Sequence, residues 1–382
     1  MNSISTLFPE SYENSRLRFR ENISVIRANW PSAALGQHRL SGDEELTIDW
    51  ISSPGLKENA RLLLFTTGEH GIEGYVGSAM LQRFIQAYLP LLNPDDTGIL
   101  LVHAINPWGM RYKRRTNANN VDLNRNFVIS LDEIDPAFNL DYTRLDAFLN
   151  PNKPVRSFFL SNLAYLIRLS AYTLSMGLST LRRTTLLGQY RHPEGIHAGG
   201  DCLQEETGVL MDLYRKSYAQ YGHIVHLDMH TGYGPRYQMS LVNSALDPSS
   251  SAEYAQRFDY PLVVAATAEE FYAIRGDMID YVYALVQKEF PHKRFYATSF
   301  EFGTYGLSTP ALVKSLRSMM FENQIYWHGA SNSGAQKRIQ HDFQELFVPQ
   351  EEKWRTKAVA DADQAFSGIL NAEGFIRSGR RG

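Results

Sequence analysis

The chain has 382 residues, 43% hydrophobic and 12% aromatic, with 38 Lys and Arg against 41 Asp and Glu for a formal net charge of −3. That apolar content allows a large core, and the near-balanced charge gives no reason to expect a nucleic-acid partner. A single cysteine, Cys202, excludes an internal disulfide and a thiolate-rich zinc site and fits a reducing compartment.

No linker rich in Gly, Ser or Pro divides the chain, and no repeat is visible, so residues 1–382 are expected to form one decorated domain. The opening MNSISTLFPESYENSR lacks a basic segment followed by an apolar core, which points to the cytoplasm. A helix is expected over Tyr12–Trp30 and short strands near Leu40–Ile51. Leu62–Phe65 is an apolar run closed by Thr-Thr-Gly, the pattern of a short buried strand. Helical spacing resumes after Gly74, through Tyr75, Ala79, Leu81, Phe84, Ile85 and Tyr88, and stops at Pro90. His70 and Glu73 therefore fall on the turn between strand and helix. Open α/β sheets bind ligands at the carboxyl ends of their strands, and an imidazole and a carboxylate three positions apart can converge on one divalent metal.

Gly98–Ala104 reads as the next buried strand, ended by Asn106-Pro107-Trp108-Gly109; His103 inside it is expected to be a hydrogen-bonded core histidine. Residues 110–127, MRYKRRTNANNVDLNRNF, form a loop dense in Asn and Arg, side chains suited to gripping a carboxylate. From Ser130 to Tyr221 the chain reads as helical, with breaks at Asn150–Pro154 and Gly188–Asp201. Arg168, Asn162 and several serines argue against a membrane span in Phe158–Leu181. In the second break His192 and His197 are further candidate metal ligands near a shaped loop. Ile224–Asp228 is a strand expectation ending in Asp228-Met229-His230, with Asp228 placed to orient that histidine or hold the turn. Leu262–Ala266 and Tyr296–Phe300 read as strands with a helix over Asp277–Glu289 between them. Phe300-Glu301-Phe302-Gly303 sets a carboxylate between two aromatics, where partial burial would raise its pKa towards that of a general base.

The order His70-x-x-Glu73, Asn106-Pro-x-Gly109, Asp122-Leu-Asn-Arg-Asn-Phe127, a lone His230 after a strand, then Phe300-Glu301 resembles the zinc carboxypeptidase superfamily, which includes the aspartoacylase and succinylglutamate desuccinylase group. The resemblance runs from about residue 61 to 310. It implies a three-layer α/β/α fold with a mixed, mostly parallel twisted sheet, and one Zn2+ per chain held by His70, Glu73 and His230. By the same resemblance Glu301 activates water, Arg114 or Arg115 (Arg114 slightly favoured) steadies the oxyanion, Asn124 and Arg125 grip a substrate carboxylate, and Tyr272 covers the substrate.

Two departures stand out. Classical members carry an arginine directly before the glutamate of the first motif, where this chain has Ile72. The stretch from Arg125 to His230 is also longer than in digestive members, so Phe138–Leu203 is read as a helical insertion that walls or lids the site and restricts it to small substrates. The secreted relatives carry signal and activation segments, and neither is seen here, which implies an intracellular role.

The expected activity is hydrolysis of an amide or peptide bond next to a free carboxylate in a small peptide or N-acyl amino acid, with no nucleic-acid or membrane partner. The rivals are an amidohydrolase acting on N-acyl amino acids or cell-wall peptide amides, and a non-catalytic binding protein that keeps the pocket. A serine hydrolase and a nucleotide enzyme are disfavoured, because neither Gly-x-Ser-x-Gly nor a P-loop occurs.

Overall fold

The computed structural model describes residues 4–43, 45–57, 60–267, 270 and 274–376. In chain order it contains α1 (Tyr12–Arg27), β1 (Ala34–Arg39), β2 (Thr47–Ser53), β3 (Arg61–Thr67), α2 (Gly74–Ala87), β4 (Thr97–His103) and α3 (Pro107–Arg111). There follow α4 (Leu140–Leu149), α5 (Phe158–Met176), α6 (Leu178–Leu186), α7 (Glu205–Ala219), β5 (His223–Gly232), β6 (Met239–Asn243), α8 (Ser251–Phe258) and β7 (Val263–Ala265). The chain closes with α9 (Met278–Glu289), β8 (Arg294–Gly303), α10 (Thr309–His328), α11 (Ser333–Phe347) and α12 (Glu352–Ala372).

The eight strands form one sheet in the order β1-β2-β4-β3-β5-β8-β6-β7. β4, β3, β5 and β8 run parallel through its centre, β2 is antiparallel to both β1 and β4, β6 is antiparallel to β8, and β7 is parallel to β6. The fold is α/β with a mixed sheet. Alternate residues of a strand face opposite sides. Thr67 and Met229 lie under Gly77 of α2, and Phe300 packs its ring on Phe366 of α12, 5.1 Å between centroids. One residue out of phase, His226 meets Tyr214 and Tyr218 of α7 on the other face, and Phe295 meets Tyr283 of α9. The sheet is thus the middle of three layers.

The central strands are near-continuous apolar runs because both faces are covered. A second apolar cluster joins Tyr142, Leu145 and Phe148 of α4, Tyr165 and Leu169 of α5 and Leu181 of α6 to Met320 and Phe321 of α10 and Ile339 of α11. The segment read as an insertion is therefore seated on the C-terminal helices. Gly177, at φ +81°, breaks its apolar run into α5 and α6. No helix among the described residues is long and apolar enough to cross a membrane.

Three expectations shift. Leu40–Leu46, read as strand, is the turn between β1 and β2, closed by the Leu40 amide donating to the Leu46 carbonyl at 2.9 Å. β5 and β8 run on past Asp228 and Phe300, so His230 and Glu301 sit inside strands, paired with each other in register. β6, MSLVN, had not been anticipated. His103 is a core histidine as expected: Ser15 and Thr67 hydroxyls meet its two ring nitrogens at 2.6 and 2.5 Å, and burial lowers its pKa to about 3.

Candidate functional site

β3 ends at Thr67, and residues 68–73 turn directly into α2. Gly71 is needed in that turn because an added Cβ would lie 2.0 Å from the Gly109 backbone. The Asn106 carboxamide caps α3 by accepting from the Gly109 amide at 2.8 Å. Asn106-Pro-x-Gly109 is thus a helix-capping turn packed against the His70 turn.

His70 and Glu73 face each other across 2.8 Å between Nδ1 and Oε1. His230 Nδ1 lies 3.3 Å from His70 Nδ1 and 3.3 Å from Glu73 Oε2. The far nitrogens are held: His70 Nε2 by Asp122 Oδ1 at 3.0 Å, and His230 Nε2 by Asp228 Oδ2 at 2.5 Å. A carboxylate only accepts, so each far nitrogen carries a proton. Burial lowers the His70 pKa, whereas at His230 burial is outweighed by Asp228, Glu69 and Glu73, which raise the pKa well above its usual value, so an ion binding there would displace the His230 Nδ1 proton. Two ring nitrogens and a carboxylate thus converge in a space only 3–4% exposed at the histidines. Tetrahedral zinc with bonds of about 2.1 Å needs ligand atoms about 3.4 Å apart, close to the separations present.

A wholly buried carboxylate, Glu69, sits beside the cluster with no hydrogen-bond partner on either oxygen, and burial pushes its pKa up. Glu69, His70 and His230 also have ligand atoms within 4.8 Å of one another. Glu69 approaches His230 at Nε2, 3.3 Å away, the edge that Asp228 already occupies. The set with Glu73 fits an ion better, because it uses the two Nδ1 atoms and leaves both supporting carboxylates in place. Burial alone would raise the Glu73 pKa, but His70 and His230 outweigh it and hold the carboxyl well below its usual range. The Thr231 amide adds a 2.8 Å hydrogen bond to Oε2.

Behind His230 runs a buried chain on one face of β5. Asp228 Oδ1 accepts from the Thr66 hydroxyl at 2.6 Å, that oxygen accepts from His226 Nε2 at 2.8 Å, and His226 Nδ1 accepts from the Tyr218 hydroxyl at 2.9 Å. Every proton in the chain is directed towards Asp228, so the carboxylate is purely an acceptor and is free to face His230.

Glu301 is paired to His230 across the β5–β8 ladder and is 7% exposed. Burial, then the charge of Glu73, raise its pKa to about 7; its Oε1 accepts from the Tyr233 amide at 3.0 Å. Such a carboxyl exchanges protons readily near neutrality.

The two arginines of the 113–115 run diverge. Arg115 pairs with Asp122, approaches Glu73 Oε1 at 3.9 Å and lines the cavity. Arg114 points away: it pairs with Glu322 at 3.0 Å, donates to Asn120 and Asn323 and stacks 3.5 Å over the Tyr326 ring. The structure thus places Arg115 at the cavity and turns Arg114, the slightly favoured expectation, towards Glu322.

Asn124 lines the cavity, and its side-chain Oδ1 accepts from the Met278 amide at 2.8 Å. Arg125 does not reach the cavity. It is 1% exposed and donates to the carbonyls of Asn124 at 2.8 Å and Leu186 at 2.7 Å, under Gly188, whose added Cβ would strike the Arg125 Cδ at 2.6 Å. The structure places the Arg125 side chain on the carbonyls of Asn124 and Leu186 and not in the cavity, where a carboxylate grip was expected. Ile72 is buried in the core and faces away from the cavity. Tyr272 lies outside the described residues. His192 is at the surface with Asp146, 3.3 Å away, whereas His197 lines the cavity with Nδ1 3.1 Å from Asp122.

The cavity has a volume of about 550 Å3. Its polar end is the His70, Glu73, His230 and Glu301 cluster, and its other walls are mostly apolar, from α5, α6 and α10. Sequence reasoning missed three functional candidates: Asp122, Glu69 and Arg182. Asp122 was visible as the acidic residue of DLNR, but its role as a hub for His70, Arg115 and His197 is a tertiary fact. Arg182, in α6, reaches the cavity wall and donates to the Tyr233 hydroxyl. Nothing in the sequence distinguished it from the neighbouring Arg183.

The family described as "Protein of unknown function (DUF2817)" matches residues 8–361. No curated protein matches. Among solved structures, the chain is similar to carboxypeptidase A from Helicoverpa armigera, at 13% identity over 90% of this chain and 75% of that one, TM-score 0.45. It is also similar to bovine thrombin-activatable fibrinolysis inhibitor, at 14% identity over 86% and 98%, TM-score 0.46. A third is murein-tripeptide amidase from Escherichia coli O157, at 19% identity over 78% and 95%, TM-score 0.36.

Proposed function

The chain belongs to the family described as "Protein of unknown function (DUF2817)", and from its site we propose that it is a metal-dependent hydrolase that cleaves an amide or peptide bond beside a free carboxylate. The observation that carries the reading is the convergence of His70 Nδ1, His230 Nδ1 and Glu73 within 2.8–3.3 Å, next to a glutamate with a pKa of about 7.

His70, Glu73 and His230 are the proposed ligands of one Zn2+. A zinc ion held there would acidify water to a pKa of about 7 and polarise a carbonyl. Glu301 takes the proton from the attacking water as its oxygen bonds to the carbonyl carbon, and delivers a proton to the nitrogen as the C–N bond breaks. Arg115, fixed by Asp122, faces the negative charge that develops on the carbonyl oxygen. Asn124 borders the same end of the cavity. Of the two arginines lining the cavity, Arg182 lies beside Tyr233, whose amide binds Glu301, and it takes the carboxylate role expected of Arg125. The apolar walls favour a substrate with an aliphatic or aromatic group, as in a small apolar peptide or an N-acyl amino acid.

Glu301→Gln should retain the metal and lose at least about a hundredfold of its turnover on a panel of C-terminal peptides and N-acyl amino acids. Near-normal turnover in that variant would sink the mechanism, and an inactive parent protein with full metal content would favour a binding protein.

A further inference from the structure

Helix α5 has two apolar faces. Tyr165 and Leu169 are buried and line the cavity. Phe159, Leu163, Ile167 and Leu174, spaced four, four and seven residues apart, are 71%, 46%, 63% and 88% exposed. That spacing aligns them along one side of the helix, and a stripe of this kind on a water-facing surface marks an interaction site.

Charge identifies the occupant. Residues 151–191 contain Lys153, Arg156, Arg168, Arg182, Arg183 and Arg191 and no Asp or Glu, within a chain of net charge −3. Lys153, Arg156 and Arg183 are exposed. The acidic groups on the helices packed nearby are already engaged: Asp141 with Arg144 at 2.9 Å, Asp146 with His192 at 3.3 Å, and Asp342 with Arg317 at 2.9 Å and Arg338 at 3.1 Å. A second copy of the chain on this face would set like charges against each other. An anionic bilayer meets both demands, since acyl chains take the leucines and headgroup phosphates take the guanidinium groups.

We propose that the exposed face of α5 docks the protein on an anionic lipid surface, with the helix lying in the plane of the interface. Leu178 is both 48% exposed and part of the cavity wall, so the cavity edge faces the lipid in this pose. The inference is independent of the hydrolase reading, because its test reads binding alone.

The test is sedimentation of the full chain with vesicles of phosphatidylcholine alone or mixed equally with phosphatidylglycerol. Binding should be at least tenfold tighter to the anionic vesicles, should fall at least tenfold in 0.5 M salt, and should fall at least tenfold in the triple variant Leu163→Asp, Ile167→Asp, Leu174→Asp. The single variant Leu174→Asp, at the most exposed position, should lose part of the binding with an unchanged melting temperature. Equal binding to both vesicle types, or full binding by the triple variant, would overturn the proposal. So would a dimer of the parent protein that becomes monomeric in the triple variant, which would assign the face to a second copy.

Discussion

Arg114 and Arg115 show how one position along the chain separates a structural charge from a functional one. Arg115 lines the cavity beside Glu73, and Arg114 is buried against Glu322 and the Tyr326 ring. Arg115→Met should lower kcat by about a hundredfold in the folded fraction, the cost of losing an oxyanion partner, and should also lower the melting temperature because buried Asp122 loses its cation. Arg114→Met leaves Glu322 without its cation and should cost about 3 kcal/mol of stability in chemical denaturation, with kcat retained in the folded fraction. The reverse pattern would restore Arg114 to the site. The residue types of the cluster were legible through the order of the motifs from His70-x-x-Glu73 to Phe300-Glu301, because His-x-x-Glu by itself is common. The direction each arginine takes was not, because it depends on Glu322, 208 positions away, and on Leu186, whose carbonyl holds Arg125.

β5 carries more of the site than its sequence suggested. Ile224–Asp228 marked a strand, but His230 was expected just past its end. In the fold His226, Asp228 and His230 share the face towards α7 and the cavity, and the ladder with β8 continues to Gly232. Their burial has a measurable consequence. Burial lowers the His226 pKa to about 4 and that of His103 in β4 to about 3, from an ordinary value near 6.5. Both are neutral in the folded state, so the unfolded chain binds more protons below pH 6.5. Stability is full above that pH and falls as pH drops towards 4, by about 1.4 kcal/mol per pH unit for each histidine. Denaturation midpoints measured from pH 7 to 4 should show this decline, and His103→Gln should make it shallower; a flat profile in the parent protein would contradict the buried neutral assignment.

At the scale of the whole molecule, the sheet brings the ends of β3, β5 and β8 together, and α5 and α6 wall the cavity from the side. The order of strands had no signal in the sequence, whereas the three-layer plan was implied by the family resemblance and the helical segment was visible as extra length. Its seating on α10 and α11 was not, since that contact is made by scattered residues such as Met320, Phe321 and Ile339. The same segment supplies Leu186, whose carbonyl holds Arg125, and Arg182 at the cavity. The central claim is a metal centre formed by His70, Glu73 and His230, and elemental analysis of the purified protein beside Glu73→Gln and Glu69→Gln tests it most directly. The account predicts one zinc per chain in the parent protein and in Glu69→Gln, with most of it lost in Glu73→Gln. Full metal content in Glu73→Gln, or loss confined to Glu69→Gln, would contradict it.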